Sequence, residues 1–303
     1  MADAPEDLPI VDCHHHFWQL KSGLRWPWLQ DKPAPFRYGD YSVIKTDYMP
    51  DDYRRDAGKN RVVKTIHEEA WFDPSDPVGE TRYIEGIAAK HDLPNALVGA
   101  AWFGRDDIDE VLAGHAKSKL ARGVRNFPAS VRGEPEPARG ETGTMDDEKW
   151  RRGFSLLERH GFSADIQVSW RQGDAFSRLA ADFPKTQIVI VHTFLPIDRS
   201  AEGLAGWRRA MEKAARHPNV AVKISGLGEP GKPWTFQSQA PVIRDAISIF
   251  GADRGMFASN FPVDRIVGSF ETIYDGFRAA VADRPLDEQR KLLHDNAVRI
   301  YRL

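Results

Sequence analysis

Short apolar runs rich in β-branched residues recur along the chain. They span Ile10–His14, Val62–Ala70, Ala96–Phe103, Gly123–Phe127, Phe162–Ser169, Gln187–Phe194, Asn219–Ser225 and Gly255–Pro262. Runs of this length predict strands. Between them the apolar positions take up a helical period. That predicts amphipathic helices at Pro77–His91, Asp106–Lys119, Asp146–His160, Asp174–Phe183, Gly203–His217 and Gln237–Phe250, with Leu286–Leu303 as a closing helix. A strand alternating with a helix eight times over 303 residues predicts an α/β protein, a (β/α)8 TIM barrel forming a single domain over residues 1–303. A doubly wound open sheet shares the alternation, but no Gly-rich phosphate turn follows the first strand. Two long loops stand out, Phe17–Tyr48 after strand 1 and Pro128–Met145 after strand 4. Both leave the carboxyl ends of strands, where barrels build their active sites.

Composition narrows the function classes. A net charge of −2 with both signs interspersed argues against a nucleic-acid partner or an anionic membrane surface. No stretch is long and apolar enough to span a membrane, and the acidic start MADAPEDLP does not read as a secretory signal. Cys13 is the one cysteine, so no intrachain disulfide forms and a reducing, cytoplasmic setting is expected. A small-molecule substrate is the expected partner, and a homo-oligomer is left open. Five of the 9 tryptophans, Trp18, Trp26, Trp28, Trp71 and Trp102, fall in the first third, at strand ends or in the loop after strand 1.

The stretch VDCHHHFW at residues 11–18 carries the first chemistry. Side chains alternate along a strand, so Asp12, His14 and His16 are expected to face the lumen mouth, and Cys13 and His15 the helical layer. Two imidazoles two residues apart form half of a divalent-metal site. Cys13 reads as a small buried hydrophobe and His15 as structural. The later strands offer partners at their ends: His67 and Glu69 on strand 2, Arg125 on strand 4, Gln167 on strand 5, His192 on strand 6 and Asn260 on strand 8, with Asp264 four residues further on. Strand 2 also carries Glu68 and strand 7 Lys223, which a surface ion pair would explain equally well. Arg125 is a fixed cation suited to a carboxylate or a developing oxyanion. A barrel assembles its site from polar residues on many strand ends, so the set is more informative than any member.

This set resembles the amidohydrolase-related (amidohydrolase 2) TIM-barrel hydrolases, closest to their sugar-lactonase-like branch. The matching stretches are D-x-H-x-H-F-W at Asp12–Trp18, R-W-P-W-L at Arg25–Leu29, D-P-x-D-P-V-G-E-T at Asp73–Thr81, G-V-R-N at Gly123–Asn126 and V-H at Val191–His192. They continue with K-I-S-G-L at Lys223–Leu227, M-F-x-S-N-F-P-V-D at Met256–Asp264 and N-A-x-R-x-Y-R-L at Asn296–Leu303. The resemblance implies a hydrolase that opens a small lactone, of the sugar-acid type, by attack of water on the carbonyl. It implies one divalent metal, zinc or manganese, on His14, His16 and His192, or no metal at all. Arg125, His67, Glu69, Trp102, Gln167 and Trp18 would contact substrate, the tryptophans offering aromatic faces to a sugar ring. Much of the superfamily ends strand 8 in an aspartate, where this chain has Asn260. An amide takes up no proton at neutral pH and is a poorer metal ligand. The general base would then be another carboxylate, Asp264 before Asp12. Two other readings stand beside the lactonase: a metal-dependent, non-oxidative decarboxylase of an aromatic acid, and a barrel that binds a ligand without turning it over.

Overall fold

Eight parallel strands form one sheet in the order of the sequence: β1 (Ile10–His15), β2 (Val62–Glu68), β3 (Ala96–Ala100), β4 (Ala121–Asn126), β5 (Ser163–Ile166), β6 (Ile188–Ile190), β7 (Val220–Ile224) and β8 (Gly255–Phe257). The computed structural model describes residues 5–31, 36–129 and 139–303. The seam between β8 and β1 closes just above β8. There the Asn260 N–H donates to the His14 carbonyl and the His16 N–H to the Phe261 carbonyl, each at 2.8 Å. The sheet is thereby a (β/α)8 barrel, as the alternating pattern predicts.

The helices follow the amphipathic segments: α1 (Pro27–Gln30), α2 (Pro50–Ala57), α3 (Gly79–His91), α4 (Ile108–Ala116), α5 (Glu148–Ser155), α6 (Leu157–His160), α7 (Gly173–Asp182), α8 (Ala201–Ala215), α9 (Phe236–Phe250) and α10 (Phe270–Val281). Ser200, Thr235 and Ser269 cap α8, α9 and α10 by accepting a backbone N–H three residues on. The expected closing helix is broken into α11 (Leu286–Arg290), a π-type turn at Lys291–Asp295 and α12 (Asn296–Tyr301). Ala297, Ile300 and Tyr301 of α12 pack with Val11, Ile66, Val98, Val189, Ala221 and Met256 and fill the barrel floor.

Strict alternation along β1 does not hold. Asp12 points outward, where it accepts hydrogen bonds from Tyr53 Oη of α2 (2.7 Å) and from the Ser259 N–H and hydroxyl (2.8 and 2.6 Å). Cys13 packs with the lumen residues instead of the helical layer. The register of β1 on β2 shifts between Asp12 and His15. A bulge of this kind places two successive side chains on one side, so Cys13 and His14 both face inward while His15 turns out against Phe17 and Tyr53. The loop after β1 carries its own core of Trp18, Trp26, Tyr38, Tyr41 and Tyr48. Residues 130–138, the middle of the long loop after β4, lie outside the described residues.

Candidate active site

The carboxyl ends of β1, β6, β7 and β8 bring together the residues singled out in the sequence. The His14 ring centroid lies 5.0 Å from that of His16 and 4.6 Å from that of His192. All three rings are buried, and burial first, then neighbouring positive or imidazole groups, drives each well below the ordinary histidine pKa. They are neutral at pH 7. His16 Nδ1 lies 2.8 Å from the Glu68 carbonyl oxygen. A carbonyl only accepts, so Nδ1 carries the proton and Nε2 keeps its lone pair. His192 Nδ1 is held by Ser225 Oγ at 2.9 Å. Both ring nitrogens of His14 are buried without a hydrogen-bond partner.

The position of His192 rests on an unusual turn. His192, Thr193, Phe194 and Leu195 all have positive φ, between 52° and 58°, and the Leu195 N–H donates to the His192 carbonyl at 2.8 Å. Left-handed backbone costs an L-residue roughly 1–2 kcal/mol, and strain of this kind gathers at functional sites. Gly226 makes room for the ring. Its φ is +62°, and a Cβ there would lie 2.5 Å from His192 Nδ1 and 2.7 Å from Arg37 Nη2.

Asp264 is the carboxylate that the segment after β8 brings to the site, where Glu68 also lies 3.8 Å from His14 Nδ1. Asn260 Nδ2 donates to its Oδ1 at 2.6 Å and the Tyr38 hydroxyl donates to the same atom at 2.9 Å. Arg37 Nη2 lies 3.9 Å away. Burial pushes the Asp264 carboxyl up to about 6, against the pull of Arg37, Asn260 and Tyr38. Asn260 is therefore a donor that orients Asp264, and its own left-handed backbone (φ 55°) is one that asparagine tolerates.

Arg125 stands at the end of β4, 5% exposed. Its Nε donates to Glu69 Oε1 at 2.6 Å, its Nη2 donates to the Glu69 carbonyl, and its Nη1 makes only a long contact of 3.4 Å with Gln167 Oε1. The structure thus brings Arg125, Glu69 and Gln167, each singled out at its own strand end, into contact with one another. Beside them Trp71, 39% exposed, meets Phe127 edge to face at 4.9 Å, and Phe127 in turn lies under the Arg125 guanidinium at 4.6 Å.

Several expectations need correction. His67 faces the helical layer: Nδ1 accepts the Phe17 N–H (3.2 Å) and Nε2 lies 3.3 Å from Glu80 of α3. It is its neighbour Glu68 that enters the lumen, bound to Lys223 at 2.6 Å. Glu68 and Lys223 are fully buried, not a surface pair. Trp18 is fully buried, its indole N–H donating to the Thr46 carbonyl at 2.7 Å. It stacks near His16 at 6.0 Å and buttresses that ring instead of facing substrate. Trp102 is partly buried just beyond β3. The donor types of His14, His16 and His192 suit a divalent ion, but their arrangement does not complete a coordination sphere. Among the described residues no group of three or more His, Cys, Asp or Glu side chains is placed to hold one. Arg37 and Tyr38 were not anticipated. They lie in the loop after β1, and no periodicity ties residue 38 to residue 264.

The chain as a whole is similar to known proteins. The amidohydrolase family model matches residues 11–303. A Sinorhizobium fredii protein, y4mH, is 39% identical over 304 residues, covering 98% of this chain and 99% of that protein. An L-fucono-1,5-lactonase of Burkholderia ambifaria is 28% identical over 300 residues, covering 97% of this chain and 95% of that enzyme. A solved amidohydrolase of Burkholderia multivorans with bound zinc superposes with a TM-score of 0.81 at 24% identity, covering 97% of this chain and 99% of that one. That last likeness is one of fold.

Proposed function

The chain belongs to the amidohydrolase family, and from that premise we propose that it is a hydrolase that opens a small lactone of the sugar-acid type. The observation that carries the reading is the buried Asp264, pushed up to about 6 and held by Asn260 and Tyr38 beside three neutral imidazoles. A general base works best with a pKa near the operating pH. Relatives named as L-fucono-1,5-lactonases, at 28% and 24% identity, support the substrate class.

In this reading Asp264 takes a proton from water as the water oxygen attacks the lactone carbonyl carbon. Arg125 Nη1, the loosely held end of that guanidinium, receives the carbonyl oxygen as it gains charge, and preorganised donors of this kind carry much of the rate in acyl transfer. The ring carbon–oxygen bond then breaks. The leaving oxygen regains the proton from Asp264, and the product is an open-chain hydroxy acid. His192, fixed by Ser225 and Gly226, orients the water and shapes the wall. Trp71 and Phe127 supply the aromatic face expected of the earlier tryptophans.

The test is proton release across five- and six-membered sugar-acid lactones. Hydrolysis is expected with the wild type, reduced by at least 100-fold in Asp264→Asn and His192→Ala variants that still fold. Carbon dioxide release from aromatic acids without lactone hydrolysis would replace the reading with the decarboxylase.

A further inference from the structure

The end of the barrel opposite Asp264 carries a polar recess of its own. At the amino ends of β4 and β5 a cavity of about 350 Å³ opens between α4, α6 and the segment after α12, lined by Ser118, Arg122, His160, Gly161 and Arg302 among others. Arg122 is half-buried in it and Arg302 stands at its rim. The two arginines are locked together through their main chains. Arg122 Nε donates to the Arg302 carbonyl at 3.3 Å, and Arg302 Nη2 donates to the Arg122 carbonyl at 2.9 Å. Arg122 Nη1 also holds the Lys119 and Ala121 carbonyls (2.6 and 3.1 Å), and Arg302 Nη2 the Gly161 carbonyl (2.9 Å). Every one of these acceptors is neutral. Arg302 takes up this position on left-handed backbone, φ 54°, a conformation that a helix end usually gives to glycine.

Two like charges are thus fixed side by side. The acids of the flanking helices are engaged elsewhere: Asp109 with Arg159 and, at 2.9 Å, with His160, and Glu158 with Lys185 at 3.1 Å. Burial, then the Arg122 charge, lowers the Arg302 guanidinium, and no carboxylate acts against them. Among the described residues neither arginine forms an ion pair, and Arg122 Nη2 and Arg302 Nε and Nη1 make no hydrogen bond. Ser118, buried beside them, accepts the Leu120 N–H at 3.2 Å and keeps its hydroxyl proton to donate. We propose that this cavity binds the phosphate group of a small phosphorylated metabolite, held between the forks of Arg122 and Arg302 with Ser118 as a further donor. A phosphate monoester brings three acceptor oxygens and close to two negative charges, which two guanidiniums match better than they match a single carboxylate. The volume leaves room for the small body that carries the phosphate. This ligand is not the molecule turned over at Asp264, so the inference stands apart from the lactone reading.

The experiment is calorimetric titration of the whole protein with inorganic phosphate and with glycerol 3-phosphate, at an ionic strength held constant with chloride. The wild type is expected to bind both saturably, with a dissociation constant of about 1 mM or below. Arg122→Gln and Arg302→Gln are each expected to weaken binding at least about tenfold. Arg125→Gln, at the other end of the barrel, is expected to leave it unchanged. Because both arginines also brace the closing segment, Ser118→Asp provides a test that keeps them. Its carboxylate can still accept the Leu120 N–H, and it sets a negative charge before the two forks. That variant is expected to lose phosphate binding and to unfold at a higher urea concentration than the wild type. Absence of saturable binding in the wild type overturns the proposal. So does binding that persists in both arginine variants, binding that is lost in Arg125→Gln, or wild-type affinity in Ser118→Asp.

Discussion

Asp264 concentrates the chemistry of the site in one atom pair. Its carboxyl is held at about 6 against an ordinary value of 3.8, chiefly by burial. Two consequences have opposite signs. The base must be ionised, so kcat/KM should fall as pH drops through about 6, and the pH–rate profile reads this directly; a flat profile from pH 5 to 8 would remove Asp264 from the role. For stability, the folded state holds the proton more tightly than the unfolded state. The associated stabilisation is complete below about 4, is lost as pH rises to about 6, and amounts to ~3 kcal/mol. Asp264→Asn should therefore abolish activity yet flatten the pH dependence of the melting midpoint between pH 4 and 6. The sequence made Asn260 and Asp264 legible as a pair at the end of β8. The loop residues Arg37 and Tyr38 were hidden, because contacts across more than 200 positions leave no local pattern. His67 and Trp18 were misplaced for a related reason: an aromatic or imidazole side chain at a strand end suits a packed layer as well as a pocket.

The elements that position the site depart from regular geometry, and those departures are what sequence patterns miss. The β1 bulge keeps His14 and His16 at the mouth while reversing Asp12 and Cys13. The left-handed turn at His192–Leu195 follows a β6 of only three residues, Ile188–Ile190. Nothing in the β-branched run QIVIVHTF announces it, since Thr and Phe seldom adopt that backbone. What does show in the sequence is Gly226, in K-I-S-G-L. Gly226→Ala would set a methyl group 2.5 Å from His192 Nδ1 and 2.7 Å from Arg37 Nη2, on backbone with φ +62°. The imidazole and guanidinium must move. Turnover should fall by about 100-fold, since a misplacement of about 1 Å costs that much, while stability falls by only about 1–2 kcal/mol. Kinetics beside a urea melt separate the two, and wild-type turnover in this variant would show that the His192–Gly226 contact does not set the site.

At the scale of the whole molecule, a charged column runs down the barrel axis from the site to the floor. Lys223 of β7 reaches Glu68 of β2 and Asp165 of β5, and Tyr301 of α12 donates to Asp165 at 2.6 Å. Burial alone would pull the lysine down, yet Asp165 and Glu68 hold it above its ordinary value; burial raises Glu68. The alternation of strand and helix made the barrel readable. The column was not readable, because a charged residue on a short strand looks the same whether it faces water or the lumen. Lys223→Met should expose the difference. Breaking a buried ion pair leaves charge uncompensated and costs about 3–5 kcal/mol, where a surface pair would cost less than about 1. Without Lys223, the buried Glu68 carboxyl loses the cation that opposes its burial, so it binds its proton still more tightly than in the unfolded chain. The deficit relative to wild type should therefore be largest at pH 8 and shrink as pH falls toward 5. Urea melts at the two pH values measure it. A deficit that is equal at both would mean that the column is held by packing around Tyr301 and α12 and not by its charges.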